Sequence, residues 1–264
     1  MKKTALSFLL TLLCLGLFAV QMNIPEDWVA LDEAGNKIYQ IQNGEIVTGF
    51  KVIGEGEPLL MVMGLGETMD GWSQTVLDIF ARDYQLILLD NRGMGYSTDT
   101  DKPFTYAMLG EDVINLMDLI GLKKTNIFGW SMGSIISQYL VLNHGNRIDR
   151  AILNATAIDS TGTVQNFINL TGGDLPTEGT VKKQLDYADS WKADPEDLKK
   201  VKNPVLLIHG SADVIVPVEN AVRLAEYIPD AWLVRFKDNT HSVLFEEPVD
   251  FAYVCLDFLN HKRR

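Results

Sequence analysis

The chain has 264 residues and a net charge of −12, from 23 Lys+Arg against 35 Asp+Glu, and 47% of it is hydrophobic. That length suits one domain with a large core, or one domain carrying a small insertion. The acidic balance argues against nucleic acid and an anionic membrane surface as partners, and no basic patch, metal-ligand cluster, phosphate-cradling glycine loop or internal repeat stands out.

Met1-Lys2-Lys3 precedes an apolar run from Ala5 to Val20 broken only at Ser7, Thr11 and Gly16. This is the pattern of a secretory signal or a short membrane anchor, so residues 1–20 are set apart from a domain spanning 21–264. Ala19 is small enough to precede a cut, whereas Leu17 two places earlier is not, and cleavage and retention both stay open. The expected location is periplasmic or extracellular, or at a membrane through this segment alone. Cys14 follows Leu13 rather than a small residue, unlike a lipid-attachment cysteine. Cys255 reads as a buried small hydrophobe, and removal of the signal leaves it without an intramolecular disulfide partner. Asn154-Ala155-Thr156 and Asn169-Leu170-Thr171 are glycosylation sequons that would matter only in a eukaryotic host.

Alternation from about Lys37 to Ile53, with Asn43-Gly44 as the turn, predicts an antiparallel strand pair. Pro58–Met63 is a continuous apolar strand ending in Gly64-Leu65-Gly66. Gly71 to Arg82 reads as a helix carrying Trp72, and Tyr84–Leu89 as a buried strand closed by Asp90. A helix from about Thr105 to Ile120 puts Met108, Val113, Leu116, Met117 and Ile120 on one side. Thr125–Phe128 is the next strand and Ser134–Leu142 the next helix. Ala151–Asn154, Pro204–Ile208 and Ala231–Phe236 are further strands, with a helix near Glu219 to Tyr227. Phe251, Val254, Cys255, Phe258 and Leu259 recur at helical spacing in the last helix, with Pro248 in its first turn. Strands apolar throughout and alternating with helices predict an α/β fold, a mostly parallel central sheet covered by helices on both faces. Asp159 to Lys200 breaks the alternation and is too long for a plain loop; it reads as a small helical lid.

Gly129-Trp130-Ser131-Met132-Gly133 is a G-x-S-x-G motif between a predicted strand and a predicted helix, the setting of a nucleophile elbow. A serine nucleophile needs a base. Of the four histidines, His144 falls at the far end of the elbow helix, His261 in the basic tail, and His209 at a strand end where its ring supports the adjacent turn. His241, in a polar loop after the last strand, is at a strand carboxyl end and is the candidate base. Asp213, in His209-Gly210-Ser211-Ala212-Asp213, is the candidate acid to orient it, with Asp159 as runner-up. The amides of Met132 and Leu65 are the candidate oxyanion donors. Trp72 and Trp130, with Leu65, suggest an apolar substrate pocket.

Together with Asp90-Asn91-Arg92-Gly93-Met94-Gly95-Tyr96-Ser97 and His241-Ser242-Val243-Leu244-Phe245-Glu246-Glu247-Pro248, these motifs resemble those of the α/β-hydrolase superfamily from about Gly49 to Leu259. The resemblance implies the α/β-hydrolase fold, with Asp90 and Arg92 shaping a turn below the site. It leaves the substrate open among esterases, lactonases, thioesterases, peptidases, carbon–carbon hydrolases and cofactor-free haloperoxidases. Met63 stands where many members carry His, without loss of a backbone donor. Glu67 follows shortly after, and either faces the cavity or is solvated. Serine rather than aspartate as nucleophile argues against the dehalogenase and epoxide-hydrolase branches. The expected function is an exported serine hydrolase acting on a small or medium ester or lactone, with no metal or organic cofactor. A perhydrolase or lyase using the same residues, and a weakly catalytic ligand-binding member of the fold, are the alternatives. Oligomeric state is not legible.

Overall fold

The computed structural model describes residues 22–173 and 175–261. The signal-or-anchor segment and Cys14 lie outside the described residues. Among the described residues no helix is long and apolar enough to cross a membrane.

The strands are β1 (Ala30–Leu31), β2 (Lys37–Asn43), β3 (Ile46–Ile53), β4 (Glu57–Val62), β5 (Tyr84–Leu89), β6 (Thr125–Trp130), β7 (Ile148–Asn154), β8 (Val205–Gly210) and β9 (Trp232–Phe236). They form one sheet in the order β1-β2-β3-β5-β4-β6-β7-β8-β9. The pairings β1–β2, β2–β3 and β3–β5 are antiparallel, and every pairing from β5 through β4 to β9 is parallel. The helices are α1 (Gln74–Phe80), α2 (Tyr106–Leu119), α3 (Met132–Asn143), α4 (Thr163–Thr171), α5 (Gly179–Ala188), α6 (Pro195–Leu198), α7 (Glu219–Tyr227), α8 (Val243–Glu246) and α9 (Pro248–Asn260).

Strand side chains alternate between faces, so a doubly covered strand must be apolar at every position. Leu60, Val62, Ile87, Leu89, Ile127, Leu153 and Leu207 share one core with α2, α3 and α7. Leu59, Met61, Leu86, Leu88, Phe128, Ile152 and Leu206 share the other with α1, α8 and α9. Cys255 is fully buried there, and burial pushes its thiol pKa well up.

Three local expectations shift. Asn43 stays in β2, paired with Ile46, so the hairpin loop is Gly44-Glu45, with Gly44 at φ 59°. The helix expected from Gly71 divides into a 3-10 turn at Met69–Gly71 and α1, with Trp72 extended between them. Helix α3 begins at Met132, immediately after Ser131 rather than at Ser134. Of the two sequons, Asn154 is fully buried at the end of β7 and closed to a glycosyl donor in the folded chain. The stretch from Asp159 to Lys200 holds α4, α5 and α6.

Candidate active site

Four loops at the carboxyl ends of parallel strands converge here, where an open α/β sheet places its ligands. Ser131 follows β6, Asp213 follows β8, His241 follows β9, and Gly64-Leu65-Gly66 follows β4. Ser131 is the N-cap of α3 with φ 54° and ψ −122°, a conformation costing a non-glycine residue about 1–3 kcal/mol. The surroundings hold it there. Ser131 N donates to Asn154 O at 2.9 Å, and Ser131 O accepts from Ser134 N at 2.9 Å. Ser134 Oγ also donates to Ser131 O, at 2.5 Å. The helix approaches β4 so closely that a Cβ on Gly133 would lie 2.0 Å from Val62 O. Only glycine permits that contact.

His241 Nε2 lies 2.8 Å from Ser131 Oγ, and His241 Nδ1 lies 2.8 Å from Asp213 Oδ2. A carboxylate only accepts, so Nδ1 carries the proton and the Nε2 lone pair faces the serine hydroxyl. Asp213 is anchored on its other oxygen, Oδ1 accepting from Ile215 N at 3.0 Å and Val216 N at 2.9 Å. Burial would push the Asp213 carboxyl up, but hydrogen bonds from His209, His241 and the Val216 amide outweigh it and hold the group well below the usual carboxylate range. His209 is fully buried, its Nε2 2.7 Å from Val216 O and 3.2 Å from Asp213 Oδ2, so its ring closes the acid loop. Trp130 Nε1 donates to His241 O at 3.1 Å, and Glu246 accepts from Thr240 N at 2.8 Å, which fixes the loop carrying the imidazole.

The other candidates lie elsewhere. His144 bonds Glu111 at the end of α3, and His261 caps α9 beside Trp232. Asp159 pairs with Lys192 and accepts from Thr161 N, away from His241. Among the described residues no group of three or more His, Cys, Asp or Glu is arranged to hold a metal ion.

The amides of Leu65 and Met132 have no acceptor among the described residues. Met132 N is at the first position of α3, where a helix has no internal partner for its N–H and the dipole favours negative charge. The loop after β4 runs alongside the serine, since a Cβ on Gly64 would be 3.3 Å from Ser131 Cβ. It is held from two sides: Asn91 Nδ2 donates to Met63 O at 3.0 Å, and Gly66 N donates to Gln184 Oε1 at 2.7 Å. Asp90 accepts from Met69 N and Tyr96 N, each at 2.7 Å, and Arg92 makes a two-pronged pair with Asp112 at 2.6 and 2.8 Å. These residues brace the loop and α2 rather than touch the cavity. Gln184 was not expected from the sequence. It stands in α5, far along the chain from the loop it holds, and no local pattern marks it.

A cavity of about 250 Å³ opens onto Ser131, Met132 and His241. Its walls are Tyr106, Ile135, Ile215 and Val216, with Val164 and Phe167 from α4 and Leu185 from α5, and Leu65, Glu67 and Trp130 also line it. Two open grooves of about 790 Å³ each, around Arg150 and Trp232 and around Lys124 and Trp191, contain none of Ser131, Asp213 or His241. Chemistry, not size, selects the smaller cavity. Trp130 lies in it as expected. Trp72 does not: it is 4% exposed, its ring 4.9 Å from that of Phe128, in the core beneath α1 and α9. It sits on the α1 side of the sheet, where burying a whole indole is worth more than lining a small cavity.

A family model described as alpha/beta hydrolase fold matches residues 57–170, and one described as TAP-like protein matches residues 183–250. The 2-hydroxy-6-oxo-6-(2'-aminophenyl)hexa-2,4-dienoic acid hydrolase of Metapseudomonas resinovorans is 25% identical over 265 positions, covering 84% of this chain and 90% of the relative. An alpha/beta hydrolase fold protein from Chitinophaga pinensis superposes with a TM-score of 0.79 at 20% identity, covering 88% of this chain and all of that one. The enol-lactonase of Burkholderia xenovorans LB400 does so with a TM-score of 0.75 at 20% identity, covering 84% of this chain and 100% of that one. The two structural likenesses speak for the fold, and the kinship as a whole supports a hydrolase in general terms. With a mostly parallel sheet, a serine on a strained turn after β6 and these relatives, the chain belongs to the α/β-hydrolase superfamily.

Proposed function

We propose that this chain is an exported serine hydrolase cleaving a small or medium carboxylic ester or lactone through an acyl-enzyme on Ser131. One observation carries the reading: the unbroken line Ser131 Oγ, His241, Asp213, with both contacts at 2.8 Å. Ser131 Oγ attacks the carbonyl carbon as its proton passes to His241 Nε2. The carbonyl π pair moves onto oxygen, which the Leu65 and Met132 amides receive. Asp213 stabilises the imidazolium. Collapse re-forms the carbonyl and breaks the bond to the alcohol oxygen, which leaves with the proton from His241. Water then gives a proton to His241 and attacks the acyl group, and Ser131 departs as the hydroxyl, releasing the acid. A lactone gives one product, the hydroxy acid.

The cavity volume and its aliphatic walls favour small and medium acyl groups over long ones. Helices α4 and α5 would serve as the lid, since both contribute walls. Lys2-Lys3 and the apolar run behind them support export or a tether. Asn23 N donates to Ile120 O at 2.8 Å, just ahead of the amino end of β6, so a tether would join the domain on the side away from Ser131. Mass spectrometry of the mature N-terminus separates cleavage from retention.

The test of the catalytic reading is Ser131→Ala with a fluorophosphonate probe and 4-nitrophenyl esters of graded chain length. Wild type is labelled at Ser131, and the variant loses labelling and about 10⁴-fold or more in turnover with its circular dichroism unchanged. Ester turnover that survives in the variant defeats the reading.

A further inference from the structure

Among the described residues, none that lines the cavity is Lys or Arg, and the one carboxylate in its lining is Glu67, which is exposed. The Glu67 carboxylate is folded back over the turn before α1, where Oε2 would be 2.8 Å from a Cβ on Gly71. Two of the cavity's polar groups are already engaged. Tyr106 OH donates to Ala188 O at 3.1 Å, and Ser160 Oγ accepts from Trp191 N at 3.0 Å. Cations on the surrounding elements are engaged as well: Lys183 of α5 on Asp99 and Thr100 O, Lys192 on Asp159, and Arg92 on Asp112.

A substrate carboxylate carried into this space would shed its hydration and gain no counter-ion from the described lining, which costs free energy, whereas a methyl group in its place is stabilised by burial. It would also meet Glu67, the ionised Asp213 behind the imidazole, and the field of a chain with net charge −12. We infer that the site is selective for uncharged substrates and rejects those bearing a second carboxylate, with Glu67 as the specificity-determining residue at its mouth. The inference rests on the serine-hydrolase reading and names its substrate class. It also bears on release. Hydrolysis turns a neutral ester into an acid anion, and the groups that exclude anions at entry then favour its departure.

The experiment compares 4-nitrophenyl hexanoate with mono(4-nitrophenyl) adipate, in which a carboxylate replaces the terminal methyl. The expected kcat/KM ratio is about 100-fold or more in favour of the hexanoate. Glu67→Gln shifts that ratio toward the adipate by about three- to tenfold, Glu67→Lys shifts it further, and added salt narrows the wild-type ratio as the exposed rim charge is screened. Equal turnover of the two esters overturns the inference and leaves the serine hydrolase standing. An unaltered ratio in both variants overturns the assignment to Glu67. Failure to hydrolyse either ester, with no fluorophosphonate labelling, overturns the serine-hydrolase reading and the inference with it.

Discussion

Replacing Asp213 by Asn probes the geometry behind the serine more sharply than removing the serine does. Asp213 Oδ1 receives two backbone N–H groups, from Ile215 at 3.0 Å and Val216 at 2.9 Å, while Oδ2 faces His241 Nδ1 at 2.8 Å. Asparagine has one oxygen and one NH₂. Turning the NH₂ toward the loop would leave two buried donors unpaired, at about 1–3 kcal/mol each. The amide oxygen therefore takes the place of Oδ1, and the NH₂ faces His241. An NH₂ can only donate to Nδ1, so the neutral ring must carry its proton on Nε2, aimed at Ser131 Oγ. In that tautomer the imidazole is a donor to the nucleophile and cannot accept its proton.

The expected loss is about 10⁴-fold in kcat, equivalent to about 5 kcal/mol of transition-state stabilisation. Stability should change far less, because the two backbone bonds survive. The new NH₂ does face His209 Nε2, 3.2 Å from the replaced oxygen, and that conflict costs about 1 kcal/mol, a Tm shift of a few degrees. Labelling rates with the fluorophosphonate and steady-state turnover of 4-nitrophenyl hexanoate measure the first quantity, and thermal unfolding the second. A folded Asp213→Asn protein labelled within tenfold of the wild-type rate refutes the reasoning.

Gly133→Ala places a methyl 2.0 Å from Val62 O and 2.6 Å from Met63 O, both backbone, so it should cost about 3 kcal/mol or more in urea unfolding, or prevent folding. Gln184→Ala strips the acceptor from Gly66 N, and kcat for the ester should fall by about tenfold as the Leu65 amide loses its support, with little change in the unfolding midpoint. Burial raises the Asp32 carboxyl, but Lys51 Nζ at 2.7 Å and hydrogen bonds from Asn36 outweigh it and draw it down to about 2. A depressed carboxyl stabilises the fold above its unfolded value of about 4 and loses that contribution as pH falls toward the folded one. The urea midpoint of Asp32→Asn should thus lie below wild type from pH 5 to 7 and converge with it between pH 4 and 2. A gap that persists at pH 2 would sink that account.

What the sequence made legible follows from how far apart the interacting groups stand. The strand Tyr84–Leu89 and the helix Glu219–Tyr227 match their expected bounds, because an apolar run or a helical period is a local signal. Ser131 announces itself through adjacent glycines, and His241 emerges because only four histidines compete. Trp72 misled, since a large aromatic soon after a glycine-rich loop can turn to either side of the sheet. The fold decides: Phe128 offers it a partner in the α1 and α9 core. Gln184 was invisible, because its contact with Gly66 joins segments 118 positions apart and neither end carries a pattern that names the other.

On the proposed serine-hydrolase reading, the same division separates chemistry from specificity. Ser131, Asp213, His241 and the Leu65 and Met132 amides all hang from ends of parallel strands, whose register is set by two close-packed cores. Much of the cavity wall comes from Val164, Phe167, Leu185 and Ala188, on α4 and α5, outside the sheet. Packing is thinnest at α4, which has no buried residue, whereas α5 buries Gln184, Leu185 and Ala188, and Met132, Ile135, Ile136, Leu140 and Val141 of α3 are all buried. A segment with so little core of its own tolerates substitution at small cost in stability, while the strand ends do not. Relatives at 25% identity can therefore share the sheet and still differ in what they admit. Exchanging α4 and α5 for those of such a relative should change the ester preference and spare the fluorophosphonate reaction at Ser131, provided the acceptor for Gly66 N is kept.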